Sequence, residues 1–524
     1  MQPSTGRTWK GPAQCVARSP PTAATLDSMS ETPRFRGSFG KPSPLLANIV
    51  AQPIRVDGVC LPGNGLSHLG NDFGPLALTA RHRAIGARIQ HSSQMQPALR
   101  KRIVLITGLS AIIAALVLSA TAWHVKPDYP VGNVDLGSDP GMSGSLGVEP
   151  TKFYEPPTPL PDVLPGTVLR SEELTDAPPS MKAWRVLYMS KDNDGKPIAI
   201  SALYLEPTKP PEVGTRFPLI AMAHGTTGFA RSCGMSQGPF TPDSTGYEYN
   251  DFLMTPMINA GYAVVATDYE GMGAPGKTPY LMRKQAYDVL DSIRAAIAFR
   301  SGVVDAQQVG IVGHSEGGYV ALTTADQAKT YAPELAIRGS IAIAPGVVPG
   351  IRASSNVLTT QTADIAGSPR AGYITTLSQA WLANYPDYLQ PSDFYTAKGM
   401  EVVPKAAKVC QGAMLDVLTE TFGTYFQAEL PTTFTKVAAM NAPLTVKSPI
   451  PMMVVQGSKD TGVVPQVSKA VVMEGCARGN TMAFEEFPDD VHRSVQYSAR
   501  VTMFDWLNDR FAGRPAPNQC RELG

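Results

Sequence analysis

The chain has 524 residues, of which 43% are hydrophobic and 17% charged, and its formal net charge is +1. This length suits one large domain with insertions, or two domains. The balanced charge offers no basic surface of the kind that binds nucleic acid, so we expect no nucleic-acid partner.

An uncharged apolar segment, residues 103–122, differs from everything around it. It reads IVLITGLSAIIAALVLSATA and directly follows a basic cluster at residues 100–102. A basic flank, an apolar core and the small residues Ala120 and Ala122 are typical of a secretory signal peptide. The segment is also long enough to span a membrane, so a cleaved signal peptide and an uncleaved anchor stay as alternatives. Both predict that the downstream residues are exported, as a secreted or cell-envelope protein.

The residues before this segment, 1–94, are rich in Pro, Gly, Ser and Arg and show no sustained hydrophobic period. Such a composition favours disorder. Met95 stands five residues before the basic cluster, where a start codon would give an ordinary signal sequence. We therefore expect residues 1–94 to be a mis-assigned start or a disordered extension, and residues 95–122 to be the signal peptide or anchor.

Residues 123–165 are rich in Pro and Gly and predict a linker or an extended arm. Two segments further on, AWRVLYMS and AISALYLEP, have the β-branched and aromatic content of paired strands. Short apolar runs then recur, each closed by Gly or a polar residue, and predict buried parallel strands. These runs are FPLIAMAHG, YAVVATDYEG, QVGIVGHS, GSIAIAPG and IPMMVVQG.

Helical patterns lie between the predicted strands. They are QAYDVLDSIRAAIAF, Gly317 to Lys329, and Gln466 to Cys476. Strands that alternate with helices predict an α/β fold with a mostly parallel sheet and helices on both faces. Residues 346–446 lack this alternation and are too long for a loop, so we expect an inserted helical cap between core segments 166–345 and 447–524.

The sequence Gly313-His314-Ser315-Glu316-Gly317 matches the G-x-S-x-G motif. A bare match is weak, but VGIV before it predicts a strand and GGYVALTTADQAK after it predicts a helix. This strand–turn–helix setting is that of the nucleophile elbow of α/β-hydrolases. We expect Ser315 to be the nucleophile, with small flanking residues that leave room for a strained turn.

A serine hydroxyl needs a base, and three histidines lie in the catalytic region: His224, His314 and His492. His314 is on the elbow itself, so its side chain is expected to point away from the reacting side. His224 precedes the serine, whereas this fold places the base after the acid in chain order. His492 is therefore the predicted base, and His224 is expected to be structural.

The acid should follow a late strand and precede the base. Asp460, in QGSKDTGVVP, satisfies this requirement and would hold the imidazole in one tautomer. Asp489 and Asp490 compete with it because they lie close to His492 in sequence. An oxyanion hole needs two backbone donors, and we expect the amide of Glu316 together with that of Thr226 or Gly225.

Four cysteines follow the apolar segment: Cys233, Cys410, Cys476 and Cys520. In an oxidising compartment they favour two disulfides, with three alternative pairings, over free buried thiols. The sequence has no CxxC and no Cys/His spacing typical of zinc ligands, so we expect no metal. A triad needs no cofactor, and none is expected.

With these residues identified, the chain resembles the secretory lipase family, which includes the fungal secreted lipases of the lipase-A type. The likeness rests on TDYEGMGAPG, AYDVLDSIRAA, GHSEGGYVALTTA and QGSKDTGVVP and covers roughly residues 150–515. It implies hydrolysis of acylglycerols, with Ser315, Asp460 and His492 as the triad and the insertion as lid and acyl channel. It also implies disulfides that join Cys233 to Cys410 and Cys476 to Cys520.

We therefore expect an exported carboxylic ester hydrolase acting on lipid esters. A cell-envelope acyltransferase or a serine peptidase could use the same triad, and an inactive scaffold is the non-enzymatic alternative. Membrane or envelope association would accompany an uncleaved anchor. The sequence makes no prediction about the oligomeric state.

Overall fold

The computed structural model describes residues 147–347 and 369–523. The predicted N-terminal extension, the apolar segment 103–122 and most of the predicted linker lie outside the described residues. So do residues 348–368 at the beginning of the predicted cap. Within the described part of the chain, no helix is long and apolar enough to cross a membrane.

A single nine-stranded sheet forms the centre of the described fold, with the spatial order β1-β2-β3-β5-β4-β6-β7-β8-β9. Strands β1, β2, β3 and β5 pair antiparallel, and every pair from β5 through β4 to β9 is parallel. The strands are β1 (Val168–Leu174), β2 (Met181–Lys191), β3 (Pro197–Pro207), β4 (Phe217–Ala223), β5 (Ala263–Thr267), β6 (Val304–His314), β7 (Ile337–Ile343), β8 (Met452–Gly457) and β9 (Met482–Phe487).

The α-helices of the described residues follow and connect these strands. They are α1 (Thr245–Tyr249), α2 (Thr255–Asn259), α3 (Gln285–Phe299), α4 (Glu316–Tyr331), α5 (Pro369–Asn384), α6 (Pro391–Phe394), α7 (Ala397–Ala406), α8 (Gln411–Val417), α9 (Phe422–Tyr425), α10 (Thr432–Met440), α11 (Pro465–Ala477), α12 (Val495–Ser498), α13 (Arg500–Phe511) and α14 (Cys520–Leu523). A π-helical turn, Asn250–Met254, joins α1 to α2.

The sheet is covered on both faces, and this coverage explains its apolar strands. Along β4, Leu219 and Ala221 belong to the core shared with α3, α4 and α11, whereas Ile220 and Met222 belong to the core shared with α2 and α13. A strand that is buried on both faces cannot alternate apolar and polar residues. The predicted α/β architecture, its seven strands and the three core helices are confirmed.

Strand β1 was not predicted from the sequence. Its residues Ser171, Glu172 and Glu173 are polar and exposed, and Arg170 is half-buried, because β1 is the edge of the sheet and pairs only with β2. An edge strand with one solvated side needs no apolar run, and charged residues there discourage further pairing. The pattern used to predict buried strands therefore does not detect it.

The described insertion between β7 and β8 is helical, α5 to α10. Trp381 on α5 is fully buried, packs 4.9 Å from the ring of Phe434 on α10, and donates from Nε1 to the carbonyl of Tyr280 at 3.0 Å. Leu418 is likewise fully buried. Trp381 therefore packs the cap onto the core.

The end of the predicted linker is anchored to the core. Phe153 and Tyr154 form a short 3₁₀ turn with Lys152 and are buried. The Tyr154 hydroxyl donates to the carbonyl of Ser236 at 3.0 Å. Two aromatic side chains thus attach a segment whose Pro and Gly content alone predicts an unattached arm.

Two disulfides form within the described residues. Cys233 bonds to Cys410 across 177 positions, and Cys476 bonds to Cys520 across 44. This is the pairing that the family resemblance implied. The first disulfide joins the core to the cap, and the second joins α11 to the C-terminal helix α14.

Candidate active site

The predicted nucleophile, Ser315, occupies a sharp turn between β6 and α4. Its backbone has φ 58° and ψ −120°, a conformation that non-glycine residues rarely adopt. A Cβ added to Gly313 would lie 2.0 Å from the carbonyl oxygen of Gly317, and one added to Gly317 would lie 1.9 Å from that of Ala223. The motif therefore needs both glycines for the close approach of β4, β6 and α4.

The predicted base and acid come from loops at the same edge of the sheet. His492 follows β9 and Asp460 follows β8, next to the turn after β6. Because the carboxyl ends of parallel strands share one edge, three residues far apart in sequence meet there. His492 Nε2 lies 2.9 Å from Ser315 Oγ, and His492 Nδ1 lies 2.7 Å from Asp460 Oδ2.

The carboxylate of Asp460 is held by several donors besides His492. Its Oδ1 accepts from the amides of Gly462 and Val463, both at 2.8 Å. Its Oδ2 also accepts from Gln456 Nε2 at 3.1 Å. A buried carboxylate with these partners is fixed in position and keeps Nδ1 of the imidazole protonated.

The competing acids do not approach the imidazole. Asp489 is exposed and pairs with Lys459, Oδ1 to Nζ, at 3.0 Å. Asp490 accepts from the hydroxyls of Ser494 and Ser498 at 2.6 and 2.8 Å and so caps the turn after the histidine loop. Both lie close to His492 in sequence, but their partners hold them on the other side of the loop.

The loop at residues 224–228 follows β4 and supplies the candidate oxyanion donors other than Glu316. The hydroxyl of Tyr249 lies against Gly225, where an added Cβ would come within 2.1 Å of its oxygen. Because that oxygen occupies the space beside Gly225, Thr226 is the better candidate of the two. The Thr226 side chain is buried, and its Oγ1 lies 3.0 Å from the hydroxyl of Tyr280.

This loop is also bound to the cap. The amide of Gln411 donates to the carbonyl of Thr227 at 2.9 Å, and Gly228 forms a β-bridge with Cys410. Gly228 has φ 139°, and an added Cβ would lie 2.9 Å from the Sγ of Cys233. The Cys233–Cys410 disulfide therefore lies directly against the loop that carries Thr226.

His224 has the structural role that was predicted for it. Its Nδ1 lies 2.7 Å from the carbonyl of Gly225, and its ring packs 4.3 Å from that of Tyr269. Burial disfavours the charged imidazolium and lowers the pKa of His224 to about 4. This histidine is a neutral packing element beneath the loop.

Sequence reasoning assigned Glu316 a role only through its backbone amide. Its side chain is fully buried beside the nucleophile, and Oε1 accepts from Gln285 Nε2 at 2.7 Å. Burial raises the pKa of Glu316 to about 8, and hydrogen bonds from Gln285 and Thr226 oppose the rise only in part. A glutamate directly after a nucleophilic serine was the available sequence signal.

Tyr249 was also missed, because a tyrosine in a polar loop region has no motif of its own. The tertiary structure places its hydroxyl between the loop at residues 224–228 and His314, whose Nδ1 lies 3.3 Å away. Nothing in the sequence around GYEYN relates it to an elbow that begins more than sixty residues later.

The strand order, the strained serine turn after β6 and the helical insertion between β7 and β8 define an α/β-hydrolase. The model of the family described as "Secretory lipase" matches residues 240–519, and the chain belongs to that family. It is accordingly an enzyme of the carboxylic ester hydrolase class. The family predicted from the four motifs is confirmed.

Named relatives and a solved structure agree with this assignment. The chain is 24% identical over 401 residues to Lipase 10 of Candida albicans, a match that covers 70% of this chain and 82% of that protein. It is 25% identical to the secreted triacylglycerol lipase LIP2 of Malassezia globosa, over 81% of this chain and 90% of the other. Candida antarctica lipase A in its closed state has the same fold, with a TM-score of 0.56 and 18% identity over 71% of this chain and 92% of its own.

Proposed function

We propose that this chain is an exported serine hydrolase of lipid or acylglycerol esters, in which Ser315, His492 and Asp460 form the catalytic triad. The observation that carries the proposal is the unbroken contact from Ser315 Oγ to His492 and from His492 to Asp460, at 2.9 and 2.7 Å. Both distances are within hydrogen-bond range, and the base lies between nucleophile and acid as acyl transfer requires.

In the first half-reaction, Ser315 Oγ attacks the ester carbonyl carbon while His492 Nε2 takes the hydroxyl proton. The carbonyl oxygen becomes an oxyanion, stabilised by the amides of Glu316 and Thr226. Helix α4 begins at Glu316, so its positive end adds to this stabilisation. The intermediate collapses, the C–O bond to the alcohol breaks, and the alcohol leaves with the proton from His492.

In the second half-reaction, water attacks the acyl-enzyme and gives its proton to His492. Asp460 stabilises the imidazolium in both halves without taking the proton. The amides of Gly462 and Val463 and the amide group of Gln456 keep its oxygens fixed as acceptors. The bond from the acyl carbon to Ser315 Oγ then breaks, His492 returns the proton to Oγ, and the acid leaves, so that the enzyme is restored.

A lipid ester as substrate is supported by the family and by the cap. Relatives include a secreted triacylglycerol lipase, and helices α5 to α10 cover the core next to the loop that carries Thr226. Export is supported by the apolar segment 103–122, by the family of secretory lipases and by the two disulfides.

Labelling by a fluorophosphonate probe tests the triad. The purified chain should react covalently and should hydrolyse p-nitrophenyl esters, whereas Ser315→Ala should lose labelling and at least about a thousandfold in kcat. Ser301→Ala, at an exposed serine, is the matched control and should behave as the wild type.

Esters of graded acyl length test the substrate class, since a lipase prefers longer chains than a short-chain esterase. With a competing alcohol at low concentration in water, the free acid should stay the main product if hydrolysis is the reaction, while an acyl ester as the main product would indicate transfer. Absence of hydrolysis at every chain length would refute the proposal.

A further inference from the structure

His314 precedes the proposed nucleophile but does not contact it through its side chain. The ring is buried between the loop of the base and the helix α1. Its Nε2 lies 2.9 Å from the main-chain carbonyl oxygen of His492, and its Nδ1 lies 3.3 Å from the hydroxyl of Tyr249. Both nitrogens of this histidine therefore have a partner, and one partner belongs to the residue that supplies the base.

The chemistry of these partners fixes the direction of each hydrogen bond. A carbonyl oxygen only accepts, so Nε2 of His314 must carry the ring proton. In the neutral ring Nδ1 is then an acceptor, and the Tyr249 hydroxyl donates to it. The Tyr249 hydroxyl also lies in close contact with Gly225. Two hydrogen bonds thus run in one direction, from Tyr249 through His314 to His492, and Tyr249 contacts the loop at residues 224–228.

Close packing leaves little freedom along this chain of hydrogen bonds. A Cβ added to Gly225 would lie 2.1 Å from the Tyr249 oxygen and 3.0 Å from the carbonyl oxygen of His314. The rings of His314 and His492 lie 4.6 Å apart between centroids. A displacement of the loop at residues 224–228 is therefore passed to the base loop through contacts that cannot stretch far.

The direction of these bonds requires a neutral His314. Burial lowers its pKa well below the ordinary value, and the nearby groups His492 and Arg493 lower it further. Arg493 is itself paired with Glu248, the neighbour of Tyr249. A neutral ring also avoids a second positive charge beside the imidazolium that forms at His492 during each half-reaction.

We propose that His314 is a positioning residue, which holds the main chain of His492 at a set distance from the oxyanion loop at residues 224–228. The proposal rests on the proposed function, because it concerns how the base and the oxyanion donors keep their relative positions. Small misplacements of such groups lower the rate of the chemical step while substrate binding remains. A structural role alone would lower stability and leave the rate per folded molecule unchanged.

Tyr249→Phe is the sharpest test, since it removes one oxygen and leaves the ring. We expect kcat to fall about tenfold, as for the loss of one buried hydrogen bond, with KM little changed. His314→Leu should lower kcat further, roughly a hundredfold for two lost hydrogen bonds. His314→Gln can donate from its amide nitrogen and accept at its amide oxygen, and should recover much of that loss.

The matched control is Tyr262→Phe. The Tyr262 hydroxyl is also buried and donates to Asn508 Oδ1 at 2.7 Å, on the face of the sheet covered by α13. It should lower the melting temperature about as much as Tyr249→Phe but leave kcat unchanged.

Two further results separate the possible failures. If the wild type hydrolyses esters but Tyr249→Phe and His314→Leu keep its kcat, or if His314→Gln is no better than His314→Leu, the positioning role is refuted and the triad stands. If the wild type neither labels with fluorophosphonate nor hydrolyses esters, both proposals fail together.

Discussion

Three buried titratable side chains near the proposed nucleophile are held neutral. His224 and His314 are neutral because burial lowers their pKa values, and Glu316 is neutral below about pH 8 because burial raises its own. A charge at any of these positions would act on an oxyanion or an imidazolium through a medium of low polarity. The triad therefore lies among groups whose charge does not compete with the charges that the reaction creates.

The pKa of Glu316 leads to a stability prediction. In the folded chain it is raised to about 8 from 4.5, so between these values the native state binds more protons than the unfolded state. The free energy of unfolding therefore falls as pH rises through this window, by at most about 1.4 kcal/mol per pH unit, and levels off above it. Gln285 Nε2 donates to this carboxyl, Thr226 acts on it as well, and the phenols of Tyr249, Tyr269, Tyr280 and Tyr319 interact with it electrostatically.

Glu316→Gln replaces the carboxyl group that binds this proton in the native state by an amide that does not titrate. Urea unfolding from pH 5 to pH 9 should show this variant gaining stability over the wild type as pH rises. Glu173→Gln, on the exposed edge strand β1, is the control and should keep the wild-type pH dependence. A constant difference between Glu316→Gln and the wild type at every pH would show that the carboxyl is ionised throughout.

At the scale of elements, the cap and the loop at residues 224–228, which carries the proposed oxyanion donor Thr226, form one connected unit. The β-bridge from Gly228 to Cys410, the hydrogen bond from Gln411 to Thr227 and the Cys233–Cys410 disulfide all cross between them. The start of α8 is thus covalently held beside the loop that carries Thr226. A movement of this part of the cap cannot leave the loop undisturbed.

The two disulfides should consequently differ in their effect on activity. Replacing both cysteines by serine in either pair should destabilise the fold by roughly 2–5 kcal/mol. Only Cys233→Ser with Cys410→Ser should also lower kcat at temperatures where the protein stays folded, because only this pair contacts the oxyanion loop. Melting curves and ester hydrolysis measure the two effects, and an equal loss of kcat in the Cys476/Cys520 pair would contradict this coupling.

At the scale of the whole molecule, the 3₁₀ turn Lys152–Tyr154 before β1 packs against the sheet. Tyr154 is buried and lies in a small core with Phe153, Leu187 and Ala199 of β2 and β3. The segment that the composition predicts as a linker thus covers apolar surface on the sheet. Its contribution is to stability, since it is attached far along the sheet from the proposed nucleophile in strand order.

Tyr154→Ala should therefore lower the free energy of unfolding by about 3–5 kcal/mol, as for the loss of a buried aromatic side chain. Leu164→Ala, in the same segment but 80% exposed, is the control and should change it by less than about 0.5 kcal/mol. Urea denaturation of both variants measures this difference. A small effect of Tyr154→Ala on the free energy of unfolding would show that the contacts of this segment with the core do not stabilise the fold.

Much of the architecture followed from local patterns. Five short apolar runs predicted five buried strands, because a strand covered by helices on both faces must be apolar throughout, and β-branched and aromatic content predicted two more. The fixed chain order of nucleophile, acid and base in this fold reduced the histidines to His492. Proximity in sequence was a poor guide to the acid, because Asp489 and Asp490 are held away from the ring by Lys459 and by Ser494 and Ser498.

The sequence by itself determined the class of fold, the family and the three residues proposed as the triad. These depend on short-range signals. The signals are apolar runs, glycines where the backbone must approach closely, and motifs that are each only a few residues long. The tertiary structure decided among the three cysteine pairings that the spacing alone leaves open, in favour of the one that the family resemblance implied. It also decided that β1 and Tyr154 belong to the fold and that the Tyr249 hydroxyl lies between Gly225 and His314. It also decided that the side chain of Glu316, a residue for which the sequence predicted a role only through its backbone amide, is enclosed and neutral below about pH 8. The physical reason is that burial and hydrogen-bond partners come from distant segments, which no local pattern records.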